Sequence, residues 1–213
     1  MKNHLFLTIL ILAASLTTGY SEDNAKDGAA ADARASSGGG TKVLADFNAP
    51  APNNIDGNFG AFTPSESEQV YICKEAIDDK VRHGEKGAAL RLDYNVNNGG
   101  AFNGFWMKLG PADKGNHFDA SQFKKLSFWV KPDEKGGPNK FKVELKGDDG
   151  PIAKKYIGDL KAGWTKVEIP LDDFAAQGVD LTKLNEMTIV FEQRAASPKT
   201  VGALYLDDVT LEK

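Results

Sequence analysis

The chain has 213 residues, with 26 lysines and arginines against 30 aspartates and glutamates, a net charge of −4 and no basic block anywhere. Nucleic acid and anionic membrane surfaces both require clustered cationic side chains, so neither is expected as a partner and the ligand should be neutral or polar. A single cysteine, Cys73, cannot form an internal disulfide and reads as a small buried hydrophobe, so stability must come from an ordinary core or a metal.

Lys2 precedes the apolar run LFLTILILAASL (5–16), which is too short to span a membrane, and the small residues TTG (17–19) follow. This pattern predicts a secretory signal peptide over residues 1–19, cleaved after Gly19, with Ser15 as the second choice. Tyr20 stands where a lipoprotein carries its lipidated cysteine, so no lipid anchor is expected. The mature protein is expected to be secreted or periplasmic, with no transmembrane segment. Residues 20–40 read as a flexible linker, because from Ser21 onward alanine is the only apolar type and cannot offset the entropy of ordering.

From Thr41 to Lys213 the texture changes to short alternating runs. ALRLDYNV (89–96), AFNGFWMKLG (101–110), KKLSFWVKP (124–132) and KFKVELKG (140–147) come first. WTKVEIPL (164–171), EMTIVFEQ (186–193) and VGALYLDDVTLEK (201–213) follow, and turn signals such as NNGG (97–100), EKGGPN (134–139) and GDDGP (147–151) separate the runs. Period-two alternation predicts strands. Only LDDFAAQG (171–178) and DLTKLNE (180–186) offer a turn or two of helix. The expected fold is all-β, an antiparallel β-sandwich of roughly eight to ten strands and most simply a jelly roll.

Alternation also sorts side chains by face. Leu90, Leu92, Tyr94, Phe105, Met107, Leu109, Leu126, Phe128, Val130, Phe141, Val143, Leu145, Met187, Ile189 and Phe191 belong inside. The outer faces receive Arg91, Asp93, Trp106, Lys108, Trp129, Lys131, Lys142, Glu144, Lys146, Glu192 and Tyr205. Aromatic rings stack on the C–H face of a sugar while charged and amide groups hold its hydroxyls, so such a surface suits a glycan. The expected ligand contacts are Trp106, Trp129, Arg91, Asp93, Lys108, Glu144 and Tyr205. A Trp on an outer face can equally be covered by a crossing segment, and Trp164 reads as core or edge packing.

LADFN (44–48), NGFWMKL (103–109), LSFWVK (126–131), FKVELK (141–146), WTKVEIPLDDF (164–174) and GALYLDDVTL (202–211) together resemble the galactose-binding-like jelly rolls. That group includes the family 11 carbohydrate-binding modules and the complex I intermediate-associated protein domains. The resemblance covers residues 41–213. It implies a β-sandwich without catalytic machinery that binds a polysaccharide or oligosaccharide, or docks on a protein partner. It also implies a structural calcium at Asp46 and Asp207 or Asp208, with Asn48 where these domains often carry glutamate. An amide can still ligate calcium through its oxygen, with one charge fewer.

No HExxH, GxSxG, Walker or dinucleotide motif is present, and His83 and His117 lie in polar loops without metal spacing. No enzyme is expected. Two readings stand: an exported module gripping a glycan on one outer sheet face with Trp106 and Trp129, or an assembly factor docking a protein there. Accessible rings beside accessible hydrogen-bonding groups favour the first; a flat or loop-covered face with Trp129 buried favours the second.

Overall fold

The structure, a computed structural model, describes residues 40–64 and 71–213. The expected signal peptide and all of the expected linker except Gly40 lie outside the described residues. The strands are β1 (Thr41–Ala45), β2 (Phe59–Phe62), β3 (Cys73–Asp78), β4 (Ala89–Asn95), β5 (Phe102–Lys108) and β6 (Lys125–Pro132). They continue with β7 (Lys140–Gly147), β8 (Ala153–Gly158), β9 (Thr165–Pro170), β10 (Leu184–Glu192) and β11 (Val201–Glu212). Two single-turn helices, α1 (Asp172–Ala175) and α2 (Gln193–Ala196), complete the regular structure together with two short 3-10 turns.

These strands form two antiparallel sheets. One has the order β3-β4-β11-β6-β9 with β1 added along β11, and the other has the order β2-β5-β10-β7-β8. The twelve-residue β11 organises the first sheet: its opening half pairs with β4, its closing half with β1, and its other edge with β6. All fifteen residues expected inside are no more than 2% exposed, so the alternation sorted inward from outward correctly. Tyr94 of one sheet stacks on Phe191 of the other at 4.3 Å between ring centroids, tying the two layers together.

Three expectations are corrected. There are eleven strands among the described residues, because β2, β3 and β8 are short edge strands with weak alternation. The helix expected over 180–186 stops after a single 3-10 turn, Leu181–Lys183, and Leu184 already belongs to β10, whose pairing with β5 and β7 outweighs local helical spacing. The single turn α2 occupies Gln193–Ala196, where no helix was expected. Cys73 is buried as expected, and burial, with Glu75 and Asp93 nearby, pushes its thiol well above the ordinary range. Among the described residues no helix is long and apolar enough to cross a membrane.

Candidate binding groove

The outer face of the β2-β5-β10-β7-β8 sheet is built in rows fixed by register. One row runs Lys108, Glu186, Lys146; the next runs Gly60, Trp106, Thr188, Glu144; the third runs Phe62, Gly104, Val190, Lys142. The central strand β10 contributes the short side chains Thr188 and Val190, while β5 and β7 on either side contribute long ones. A low strip between tall neighbours is a trench. It has a volume of about 450 Å³, with Phe62, Phe102 and Trp106 on one side and Lys142, Glu144 and Lys146 on the other.

Two glycines shape the aromatic side. A β-carbon on Gly60 would sit 3.4 Å from the Trp106 ring, so the indole lies over the bare backbone of β2. At Gly104 a β-carbon would fall 1.9 Å from the Ile189 carbonyl oxygen and 3.0 Å from the Phe62 ring. The close approach of β5 to β10 therefore requires glycine there, and Phe62 leans over the space it leaves. Each ring faces a glycine across the strand pair, an arrangement that covers exposed glycine backbone with an aromatic face. Trp106 is half-buried and Phe102 is 46% exposed, so ring surface remains accessible.

The polar side is a network of ion pairs. Glu186 receives Lys108 at 2.8 Å and Lys146 at 2.5 Å, and the Thr188 hydroxyl donates to it at 3.3 Å. Lys142 bridges Glu144 at 2.9 Å and Glu192 at 2.7 Å, and the Tyr156 hydroxyl donates to Glu192 at 2.7 Å. Three lysines thus balance three glutamates within this network, which is rich in donors and acceptors. Burial pushes the Glu186 carboxyl upward, but the ammonium groups of Lys108 and Lys146 outweigh it and hold the carboxyl below its usual range. Glu192 is likewise held low by Lys142 and Tyr156 against its own burial.

A folded-state pKa held below the unfolded value contributes stability that is present above the ordinary glutamate range, about 4.3, and is lost as pH falls through the folded pKa. Glu186→Gln should therefore lower the denaturation midpoint at neutral pH, and the gap to the parent protein should close on acidification. A gap that stays constant across the whole pH range would show that the ion pairs contribute nothing through Glu186.

Of the residues expected to contact ligand, the structure brings Trp106, Lys108 and Glu144 into this groove. Trp129, Arg91, Asp93 and Tyr205 lie on the opposite sheet, so one face does not carry both tryptophans. Trp129 stacks on the His83 ring at 3.8 Å with an interplanar angle of 17°, and Trp164 meets the same imidazole edge-on at 5.8 Å. Arg91 donates to Asp93 at 2.7 Å and Asp133 at 2.8 Å, bonds the Tyr205 hydroxyl, and covers the Tyr205 ring, which is only 5% exposed. Trp129 is thus packed against His83, while Arg91, Asp93 and Tyr205 form a separate cluster on the same sheet. Trp129→Ala should leave ligand retention unchanged while costing about 1 to 3 kcal/mol of stability; lost retention with an unchanged melting curve would place Trp129 at a ligand after all.

The sequence reading missed Phe62, Phe102, Glu186 and the floor residues Thr188 and Val190. The pairing of Phe62 with Gly104 depends on β2 finding β5 past two intervening strands, and Glu186 stands where the helical spacing of 180–186 meets the alternating run of 186–193. Nothing local in the sequence marks either as part of the groove.

The expected calcium positions do not assemble into a ligand shell. Asp46 accepts from the Asn48 N–H at 3.1 Å and from the Asn54 amide at 2.9 Å, while Asn48 accepts from the Ala88 N–H at 2.9 Å. Asp207 accepts from the N–H groups of His83 at 2.9 Å and Asp208 at 2.8 Å, and Asp208 pairs with the His83 ring at 2.8 Å. Burial pushes the Asp207 carboxyl up to about 6, against the hydrogen bond from His83 and assisted by the charge of Asp208. These oxygens cap backbone at a bulge of β11, and among the described residues no group of three or more His, Cys, Asp or Glu side chains is gathered to hold a metal. As placed, these oxygens are taken up by N–H donors and by the His83 ring.

A two-sheet antiparallel sandwich with a ring-lined groove on one outer face is the architecture of a binding module. The family model described as carbohydrate binding domain 30 matches residues 57–213, and the chain belongs to that family. A family 30 carbohydrate-binding module of a Clostridium thermocellum cellulosomal cellulase superposes with a TM-score of 0.56 at 17% identity, covering 81% of this chain and 97% of that one. A family 11 module of another cellulosomal cellulase from the same organism gives 0.56 at 17%, covering 81% and 94%. A Clostridium thermocellum family 11 module in complex with a β-1,3-1,4-mixed-linked tetrasaccharide gives 0.55 at 16%, covering 81% and 95%. At these identities the likeness establishes the jelly-roll fold. No curated protein matches the chain.

Proposed function

We propose that this chain is an exported, non-catalytic module that holds a neutral polysaccharide in the groove of the β2-β5-β10-β7-β8 sheet. One observation carries the reading: accessible aromatic faces, laid over glycine backbone, stand opposite a charge-balanced row of hydrogen-bonding groups across a trench of about 450 Å³. Trp106 and Phe62 offer ring faces to the C–H side of a pyranose. Lys108, Lys142, Lys146, Glu144 and Glu186 offer donors and acceptors to its hydroxyls. Since each of these carboxylates is already ion-paired, they serve to orient ligand and not to transfer protons. The leader over residues 1–19 supports export. The family and its structural neighbours support the ligand class. A flat protein-docking surface would leave no trench, so the assembly-factor reading is the weaker one.

The test is retention of the full chain on a panel of insoluble neutral polysaccharides, comprising cellulose, mixed-linked β-glucan, xylan, mannan and agarose, with calcium and with chelator. Retention on at least one member is expected, equal in both conditions. A folded protein retained by none of them would overturn the reading, and retention only with calcium would show that the Asp46 and Asp207 caps open to take the ion.

A further inference from the structure

The trench has two different ends. At one, the Lys108, Glu186, Lys146 row lies across it, and Lys108 is tied further by donating to the Asn185 amide oxygen at 2.9 Å. At the other, the floor of Gly104 and Val190 leads to Phe102, whose ring is 46% exposed. Phe102 also lines a second cleft of about 220 Å³, built with Thr63, Tyr71, Asn98, Gly99 and Gly100. The two cavities share that ring, so the cleft adjoins the trench at its Phe102 end.

We infer, building on the glycan reading above, that this cleft is an additional subsite that takes further sugar residues of the same neutral chain beyond Phe102. Its groups suit the same ligand: the Tyr71 and Phe102 rings provide stacking faces, the Asn98 amide and Thr63 hydroxyl provide hydrogen bonds, and among the described residues no charged side chain lines it. The walls are held in place before ligand arrives. Ala101 N–H donates to the Asn98 carbonyl at 3.0 Å and Gln193 N–H to the Ala101 carbonyl at 3.0 Å. The fully buried Asn103 amide donates both to the Tyr71 carbonyl at 3.1 Å and to the Asn95 carbonyl at 2.8 Å, joining the two sides of the cleft. Among the described residues, a β-carbon on Gly99 or Gly100 would meet nothing within 4 Å. A prepositioned wall loses little freedom on binding, which favours affinity for longer ligands.

The experiment is a length series. Oligosaccharides from disaccharide to octasaccharide, prepared by partial hydrolysis of the polysaccharide that the chain retains, are titrated calorimetrically into the full chain and into the Tyr71→Ala, Asn98→Ala and Trp106→Ala variants. Wild-type affinity is expected to keep rising with length after the trench is filled. Tyr71→Ala and Asn98→Ala should lose roughly fivefold or more for the long members and nothing for the short ones, whereas Trp106→Ala should weaken every length. Tyr71→Ala and Asn98→Ala both binding every length as the parent does would overturn the subsite, and so would equal losses for short and long members, which would mean the changes act through the fold. If no polysaccharide is retained at all, Trp106→Ala has nothing to weaken, and the groove and the subsite fall together.

Discussion

Replacing Trp106 by alanine should abolish most polysaccharide retention while leaving the melting curve close to that of the parent protein. The indole lies over Gly60 on the outside of the sheet, whereas the neighbours of Trp106 along β5, Phe105 and Met107, point inward and are fully buried. Removing the ring therefore opens no cavity in the core; it removes the largest stacking surface of the trench. An anchoring tryptophan of this kind contributes about 1 to 3 kcal/mol, so affinity should fall by roughly 5- to 150-fold. Quantitative affinity electrophoresis and thermal denaturation of the same preparation read the two halves of the prediction. A destabilised Trp106→Ala protein with affinity intact would make the indole a packing residue and leave the trench without its anchor.

Gly104→Ala should produce the opposite pattern, a loss of stability first and of binding in consequence. The added methyl would overlap the Ile189 carbonyl oxygen, a backbone atom that cannot rotate away, so β5 and β10 would have to separate at the centre of the sheet. Overpacking of this kind costs about 1 to 3 kcal/mol, and the value should lie near the top of that range because the obstacle is backbone. Chemical denaturation should show a lower midpoint with an unchanged slope. Gly60→Ala is the matched control, since its methyl would only touch the indole at ordinary contact distance and should be tolerated. Equal midpoints for Gly104→Ala and the parent would show that the two strands are not pressed together there.

The contrast between Trp106 and Glu186 shows how far the candidate site could be read in advance. Trp106 announces itself through a local pattern, an aromatic out of phase with Phe105, Met107 and Leu109. Glu186 is 8% exposed yet charged, a placement that only lysines from two different strands make tolerable. Those strands are 78 residues apart from it at Lys108 and 40 apart at Lys146, so no window of sequence contains the reason.

By itself the sequence determined the all-β class, the inward and outward sets of the long strands, the lack of a basic block along the chain, and the residue types from which the proposed sugar-binding face is made. Each of these follows from the period of the strand or from composition, which are local or global properties of the chain. Only the tertiary structure decided which outward-facing residues share a surface. Alternation tells a side chain to face out but not from which of two sheets, and it is long-range pairing that joins β5 to β10 and β7 while sending β4, β6 and β11 to the other layer. That pairing placed Trp106 beside Phe62 and Glu144 in a trench, and consigned Trp129 to His83 and Arg91 to Asp93 on the far side.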